Sequence, residues 1–256
     1  MGTDQDDTIR GTDGNDVIVG LDGRDTIYGL AGDDLICGNG ASNEGLPGDH
    51  FGDTLYGGRG DDKINGGLGD DTLYAGFGDD KLVAGGCSTD AVQGDEMYGG
   101  PGNDRFVGSK YGDFFEPGPR VDRVYARGRH GSDNIVSYRN AGRSMTVDLA
   151  SATATGQGRD YLKDVNSVWG SPQPDLLLGN AWSNLLAGFG GEDVARARSG
   201  LDSLFGGRGT DRLYGNRGPD ELTGNQGFDH LYGGPGRDVC WDSHDEVVKS
   251  CHKLHH

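Results

Sequence analysis

Aspartates recur along this chain at intervals of nine residues, usually two residues before a large apolar side chain. If consecutive repeats stack, these carboxylates lie close together, and like charges at that range repel. Such a row makes physical sense only when cations lie between the carboxylates. Carboxylate and backbone carbonyl oxygens are hard ligands, which favour Ca²⁺. The residue type and its spacing therefore predict a series of calcium sites.

The candidate calcium ligands are the recurring aspartates Asp7, Asp16, Asp25, Asp34, Asp53, Asp62, Asp71, Asp80, Asp95, Asp104, Asp113, Asp193, Asp202, Asp211, Asp220, Asp229 and Asp238. Asp122, Asp133 and Asp175 are read at the same position of the repeat. We expect each ion between one turn and the turn 18 residues later, as in the pairs Asp16 and Asp34, Asp62 and Asp80, and Asp211 and Asp229. About nine Ca²⁺ ions would cancel the net charge of −18.

The repeat that carries these aspartates is a nonapeptide, as in GGRGDDKIN and GGLGDDTLY from Gly57 onward. Position 1 is nearly always Gly, position 4 usually Gly, position 6 Asp and position 8 apolar. Positions 1 to 6 predict a turn, where Gly permits positive φ, and positions 7 to 9 predict a short strand. Because side chains alternate along a strand, position 8 faces the interior. Two repeats form one 18-residue coil, and coils stack about 4.8 Å apart.

The predicted core consists of the position-8 side chains. They are Ile9, Ile18, Ile27, Ile36, Leu55, Ile64, Leu73, Leu82, Met97, Phe106, Phe115, Val124, Ile135, Leu177, Leu186, Leu204, Leu213, Leu222 and Leu231. Such a core is thin, and the chain is only 33% hydrophobic, with 50 glycines in 256 residues. Ordering the backbone alone costs about 1–2 kcal/mol per residue. Apolar burial alone therefore does not offset this cost, and we expect folding to depend on Ca²⁺.

At these residues the chain resembles the RTX, or haemolysin-type calcium-binding, repeat family, whose motif is G-G-x-G-x-D-x-U-x. The resemblance covers roughly four fifths of the chain. It implies an all-β fold, a right-handed parallel β-roll of stacked 18-residue coils with Ca²⁺ in the turns. The opening GTDGNDVIVGLDGRDTIYGLAGDDLICG and the ending RDVCWDSHDEVVKSC look like secreted actinobacterial members. It therefore also implies a secreted, extracellular protein.

Three repeats depart from the motif, and we expect weaker calcium binding there. Asn184 replaces the position-6 aspartate, the repeat at 117–125 lacks Gly at position 4, and Ala195 is a small core residue.

Five segments are predicted. Residues 1–136 form a first β-roll block with two loop insertions, 137–169 form longer metal-free coils that continue the solenoid, and 170–241 form a second block. Residues 242–252 form a C-terminal cap, and 253–256 look like a tag remnant. The insertions, of about ten and six residues, are expected on the same edge, two coils apart.

The four cysteines, an even number, suit an oxidising compartment. They allow three pairings. Cys37 adjoins the first insertion and Cys87 lies in the second, so we expect Cys37–Cys87 and, at the cap, Cys240–Cys251.

The leading functional hypothesis is a secreted, non-enzymatic calcium-binding protein. The sequence contains no G-x-S-x-G, P-loop or H-E-x-x-H motif, and no apolar run long enough to cross a membrane. No nucleic-acid partner is expected. The alternative is a calcium-stabilised adhesion or cell-wall-binding module that presents its insertions, or the Arg-rich segment 117–143, to a cell-surface or polysaccharide partner. A polysaccharide epimerase or lyase is the least favoured hypothesis.

Overall fold

The computed structural model of the protein describes residues 1–38, 52–85, 94–127, 133–242 and 247–255. Within these ranges the regular elements are strands, and no helix long and apolar enough to cross a membrane is present. The chain divides into two compact units, Met1–Asn134 and Ile135–His256.

The first unit consists of short strands separated by glycine-rich turns. In chain order they are β1 (Thr8–Arg10), β2 (Val17–Val19), β3 (Thr26–Ala31), β4 (Leu35–Cys37), β5 (Thr54–Arg59), β6 (Lys63–Gly67), β7 (Thr72–Phe77), β8 (Lys81–Gly85), β9 (Glu96–Tyr98), β10 (Arg105–Val107), β11 (Phe114–Glu116) and β12 (Arg123–Tyr125).

Two parallel sheets are built from alternate strands of this unit. One has the order β1-β3-β5-β7-β9-β11 and the other β2-β4-β6-β8-β10-β12. Thr8 pairs with Thr26 and Val17 with Leu35, so a coil takes 18 residues where no insertion intervenes. This pairing confirms the predicted parallel β-roll.

Position-8 side chains form the core. From Ile18 to Val124 each of them is at most 4% exposed, whereas Ile9, in β1, is half-buried. The predicted register is wrong at the end of the unit, where Asp133 is exposed and Asn134 is buried. Val136, rather than Ile135, is therefore the buried side chain of the next strand. The spacing between Asp122 and Asn134 is twelve residues rather than nine, so counting in nines loses the register there.

The second unit is also built from strands. They are β13 (Ile135–Ser137), β14 (Thr146–Asp148), β15 (Thr153–Thr155), β16 (Arg159–Lys163), β17 (Ser167–Trp169), β18 (Leu176–Leu178), β19 (Leu185–Gly190), β20 (Val194–Arg196), β21 (Ser203–Arg208), β22 (Arg212–Tyr214), β23 (Glu221–Gln226), β24 (His230–Tyr232), β25 (Val239–Asp242), β26 (Val247–Lys249) and β27 (His252–His255).

Parallel ladders again dominate this unit, in the orders β13-β17-β19-β21-β23-β25-β27 and β14-β18-β20-β22-β24-β26. Residues 137–169 add something that the sequence pattern does not predict: β15 pairs antiparallel with both β14 and β16. Ile135 pairs with Ser167, so this coil takes 32 residues rather than 18.

A disulfide joins Cys240 to Cys251, with Cα atoms 5.7 Å apart, as predicted for the C-terminal cap. The last strand, β27, includes residues that we assigned to a tag remnant, and it pairs in parallel with β25. Cys37 forms no disulfide with another described cysteine. Cys87 lies outside the described residues, so the Cys37–Cys87 bridge stays a prediction.

An aromatic ladder runs along one face of the first unit. The rings of Tyr28, Tyr56, Tyr74 and Tyr98 stack in sequence with centroids 4.8–4.9 Å apart. Tyr214 and Tyr232 stack in the same way in the second unit. These position-9 side chains thus pack on their neighbours along the sheet.

Candidate metal centre

Position-6 residues of successive turns form hydrogen-bonded ladders. The backbone N–H of each one donates to the Oδ1 atom of the position-6 residue one coil later, for example from Asp62 to Asp80 at 2.7 Å and from Asp211 to Asp229 at 2.8 Å. We call each such ladder a stack. The carboxylates are brought together because strand pairing places equivalent turns side by side, one strand spacing apart.

Four stacks result among the residues that the structure describes, two in each unit. Stack I contains Asp16, Asp34, Asp62, Asp80, Asp104 and Asp122. Stack II contains Asp7, Asp25, Asp53, Asp71, Asp95, Asp113 and Asn134. Stack III contains Asp175, Asp193, Asp211 and Asp229. Stack IV contains Asn184, Asp202, Asp220 and Asp238.

The two insertions fit this pattern. Asp25 bonds to Asp53 across 28 residues and Asp71 to Asp95 across 24, which are 10 and 6 residues more than the regular 18. Stack I shows the same excess, from Asp34 to Asp62 and from Asp80 to Asp104, so each insertion follows a stack I aspartate and precedes the next stack II aspartate in the chain. Their placement on one edge stays a prediction. The inserted residues themselves lie outside the described part of the chain.

The second carboxylate oxygen, Oδ2, is the candidate metal ligand of the site. In twelve position-6 aspartates this atom is buried and accepts no hydrogen bond from the described protein. They are Asp25, Asp34, Asp62, Asp71, Asp80, Asp95, Asp104, Asp193, Asp202, Asp211, Asp220 and Asp238. A buried anionic oxygen without a donor is costly. A cation beside it would remove that cost.

Glycine leaves room for this arrangement. Gly58 and Gly60, at positions 2 and 4, both have φ of +122°. A Cβ atom on Gly58 would collide with the carbonyl oxygen of Leu30, and one on Gly60 with that of Gly32. Backbone carbonyl oxygens of one turn thus lie against the next turn, and at Gly57 the carbonyl oxygen of Ala75 lies near the same point as the Asp62 carboxylate.

Burial also shifts the titration of these carboxyls. Desolvation, with repulsion from neighbouring aspartates, raises the pKa of Asp71, Asp104 and Asp193 to about 8, although a backbone N–H to each carboxylate opposes the shift. For the same reasons the pKa of Asp62 and Asp95 rises to about 7. The turns therefore disfavour the ionised form unless positive charge is supplied.

The donor set fits a calcium ion rather than a transition metal. Among the described residues no three His, Cys, Asp or Glu side chains converge on one point. An ion in a turn must therefore take carbonyl oxygens in addition to the stacked carboxylates. Several hard oxygen ligands of this kind suit Ca²⁺.

The RTX calcium-binding nonapeptide repeat family matches at residues 1–40, 48–82, 94–115, 187–222 and 214–241. These segments cover more than half of the chain. The chain belongs to the RTX calcium-binding nonapeptide repeat family. It is thus a calcium-binding repeat protein. No match to a curated protein was found.

The predicted ligands of this RTX chain all have equivalent places in the four stacks, but three of them differ in the hydrogen bonds to Oδ2. Asp7, Asp16 and Asp113 have an Oδ2 atom that accepts hydrogen bonds from the residue at position 2 of their own turn. Asp53 keeps its place in stack II. Asn134 takes the place predicted for Asp133, a shift that the uneven spacing of residues 122–136 obscures.

Proposed function

We propose that the protein is a secreted RTX protein in which Ca²⁺ ions lie between successive turns and hold the fold together. The observation that carries this proposal is the set of twelve buried Oδ2 atoms without a hydrogen-bond donor. The ligands would be the position-6 carboxylates together with turn carbonyl oxygens. The ion would supply the positive charge that stacked carboxylates need, so binding and folding are linked.

Secretion and folding outside the cell form part of the proposal. The Cys240–Cys251 disulfide suits an oxidising compartment. Extracellular calcium modules bind at about 10⁻⁴–10⁻³ M, so such a chain stays unfolded at low cytosolic calcium and folds after export. Charge balance against −18 puts the proposed number of ions at about nine.

The test is a far-UV circular dichroism titration with Ca²⁺ after stripping with EGTA. A cooperative rise of β signal with Ca²⁺, and none with Mg²⁺ at the same concentration, is the expected result. A β signal that is complete in EGTA would refute a calcium-dependent fold, because the core and the disulfide would then suffice.

A second candidate function is adhesion to a cell-surface polysaccharide, presented on the same calcium-stabilised scaffold. A groove of about 730 Å³ in the second unit favours it. Trp169, Phe189 and Phe205 line this groove together with Arg208 and Gln226. Aromatic faces beside hydrogen-bonding groups suit sugar rings. Sedimentation with insoluble cell-wall polysaccharide, compared between the wild type and Trp169→Ala, tests it: equal sedimentation of both would exclude the groove.

Catalysis is not part of the proposal. The sequence has none of the hydrolase, P-loop or zinc-protease motifs named above. Assays for polysaccharide lyase and epimerase activity on the calcium-loaded protein are expected to be negative, and turnover in either would overturn this point.

A further inference from the structure

Turns with a position-6 Asp or Asn fall into two structural classes in the described chain. In five of them the backbone N–H of position 2 donates to the position-6 side chain of the same turn. These closed turns have Thr3, Thr12, Ser109, Ser171 and Asn180 at position 2. In eleven others, the open turns, the position-6 Oδ2 atom has no donor and position 2 has positive φ. Their position-2 residues are Leu21, Leu30, Gly58, Gly67, Gly76, Gly100, Phe189, Arg198, Gly207, Asn216 and Gly234.

We propose that a Ser or Thr side chain at position 2 closes a turn so that it needs no Ca²⁺, whereas an open turn requires the ion. The inference rests on the proposed function and adds which turns the ions occupy.

The hydroxyl group completes a closed turn. In the Asp16 turn, Oδ2 accepts the Thr12 N–H at 2.6 Å and the Thr12 hydroxyl at 2.9 Å. The same hydroxyl oxygen accepts the N–H of Gly14, at position 4, at 3.2 Å. The Asp175 turn repeats this pattern, because Ser171 donates its N–H to Oδ2 at 2.5 Å and its hydroxyl to Oδ1 at 2.9 Å. These donors occupy the oxygen that a calcium ion would otherwise bind.

In an open turn the position-2 N–H can donate to a carbonyl oxygen of the next coil instead of to the position-6 carboxylate. The N–H of Leu21 donates to the carbonyl oxygen of Gly38, one coil later, at 3.0 Å, and leaves the Oδ2 atom of Asp25 without a donor. Leu21 has φ of 94° and Leu30 of 90°, which large L residues rarely adopt. The turn therefore imposes this conformation against the preference of the side chain, and a compensating interaction is needed.

The position of the closed turns supports the assignment. Asp16, Asp7, Asp175 and Asn184 are the first position-6 residues of stacks I, II, III and IV, and each of them belongs to a closed turn. Asp113, the last aspartate of stack II, belongs to the fifth. An ion held between two turns needs oxygens from both. The first turn of each stack has no position-6 carboxylate before it, and there the closed turn satisfies its own carboxylate or amide.

Asn184 shows that a closed turn needs no anionic ligand. Its Oδ1 accepts the N–H of Asn180 at 2.8 Å, and its Nδ2 donates to the Asn180 side chain at 3.2 Å. A neutral amide here accepts the position-2 N–H that a carboxylate accepts in the other closed turns, which fits a turn without Ca²⁺.

The test exploits two adjacent repeats, GTDGNDVIV (closed) and GLDGRDTIY (open), that differ at position 2 by Thr12 and Leu21. Leu21→Thr introduces the closing hydroxyl, and Leu21→Val is its isosteric control without a hydroxyl. Native mass spectrometry of the calcium-loaded full chain counts the bound ions. We expect Leu21→Thr to bind at least one Ca²⁺ fewer than Leu21→Val. In the Ca²⁺ titration followed by circular dichroism, Leu21→Thr should also fold at a lower Ca²⁺ concentration than Leu21→Val, since the hydroxyl satisfies Asp25 without an ion.

Equal numbers of bound Ca²⁺ in Leu21→Thr and Leu21→Val would overturn the inference. If either variant does not fold, Leu30→Thr and Leu30→Val repeat the comparison in the Asp34 turn and are read in the same way. A wild-type chain that binds no Ca²⁺ would instead refute the proposed function, which this experiment reports separately.

Discussion

Two turns of stack II contain equally buried aspartates in different surroundings. Asp71 and Asp113 are each 1% exposed. In the Asp71 turn, position 2 is Gly67, with φ of 110°, and Oδ2 has no donor. In the Asp113 turn, Ser109 donates its N–H to Oδ2 at 2.6 Å and its hydroxyl to Oδ1 at 3.1 Å. Burial of a repeat aspartate thus does not by itself define a calcium site; the supply of hydrogen-bond donors does.

The titration of the two carboxyls reflects this difference. Burial raises the pKa of Asp71 to about 8, and the charges of Asp95 and Asp53 add to the shift. Burial also raises the pKa of Asp113, but hydrogen bonds from Asp95 and Ser109 oppose the rise. The open turn is therefore the one that gains most from a bound cation.

Removal of calcium should have the largest effect, and it should destabilise the open turns before the closed ones. At a free concentration one hundred times Kd, each occupied site stabilises the fold by about 2.7 kcal/mol, so several sites together exceed the stability of most domains. As Ca²⁺ is lowered, hydrogen exchange should lose protection first around Asp71 and Asp211, and last around Asp16 and Asp175. Protection lost first in the closed turns would contradict the two classes.

Substitution of single aspartates should have the next largest effect. Asp71→Asn removes a charged ligand from an open turn and should weaken calcium binding about tenfold, or about 1.4 kcal/mol. Asp113→Asn is the matched control in a closed turn, where Asn184 already shows that an amide is accepted. Isothermal titration calorimetry measures both, and an equal loss of affinity in the two variants would erase the distinction.

The pH dependence should change sign with calcium. Without Ca²⁺ the folded chain keeps protons on Asp62, Asp71 and Asp80 up to pKa values of about 7, 8 and 6, whereas the unfolded chain releases them near 3.8. This stabilisation is complete below pH 3.8 and is lost as pH rises through these values. In EGTA the far-UV β signal should thus be larger at about pH 5 than at pH 8, because protons take over part of the charge neutralisation at the lower pH.

Calcium affinity should do the opposite and rise over the same pH range, because protons compete with Ca²⁺ for the carboxylates. Titrations at each pH measure it. A calcium-free fold that becomes more stable at higher pH would show that the stacked carboxylates are not protonated in it.

The smallest effect is expected in a closed turn. Ser171→Ala removes the hydroxyl bonds to Asp175 and to the N–H of Gln173, at a cost of about 1 kcal/mol. The resulting fall in melting temperature, about 2–4 °C, should be the same at every Ca²⁺ concentration that keeps the chain folded. Ser203→Ala, at the half-exposed position 7 of a strand, is the control and should change little. A loss that calcium abolishes would mean that this turn binds the ion after all.

Much of the fold could be predicted from the repeat. The nine-residue period gives the strand and the turn, and position 8 gives the core, because alternation along a strand leaves that side chain no other face. The pairs Asp62–Asp80 and Asp211–Asp229 follow from the same count. Counting in nines gives the wrong register between Asp122 and Val136, where the repeat spacing is uneven. It also does not predict that β15 pairs antiparallel, because residues 137–169 do not follow the nine-residue period.

The sequence alone determined the parallel coil, its thin apolar core and the oxygen chemistry that favours Ca²⁺, since these depend only on residue types at a fixed spacing. Only the tertiary structure showed that Ser or Thr at position 2 closes a turn, and it alone separated Asn180, in a closed turn, from Asn216, in an open one. Asp16 and Asp25 have the same place in the repeat, but Asp16 is the first of its stack and is closed by Thr12, whereas Asp25 has a turn on either side. That distinction depends on φ at position 2 and on neighbours 18 to 28 residues away, which come together only when the coils stack.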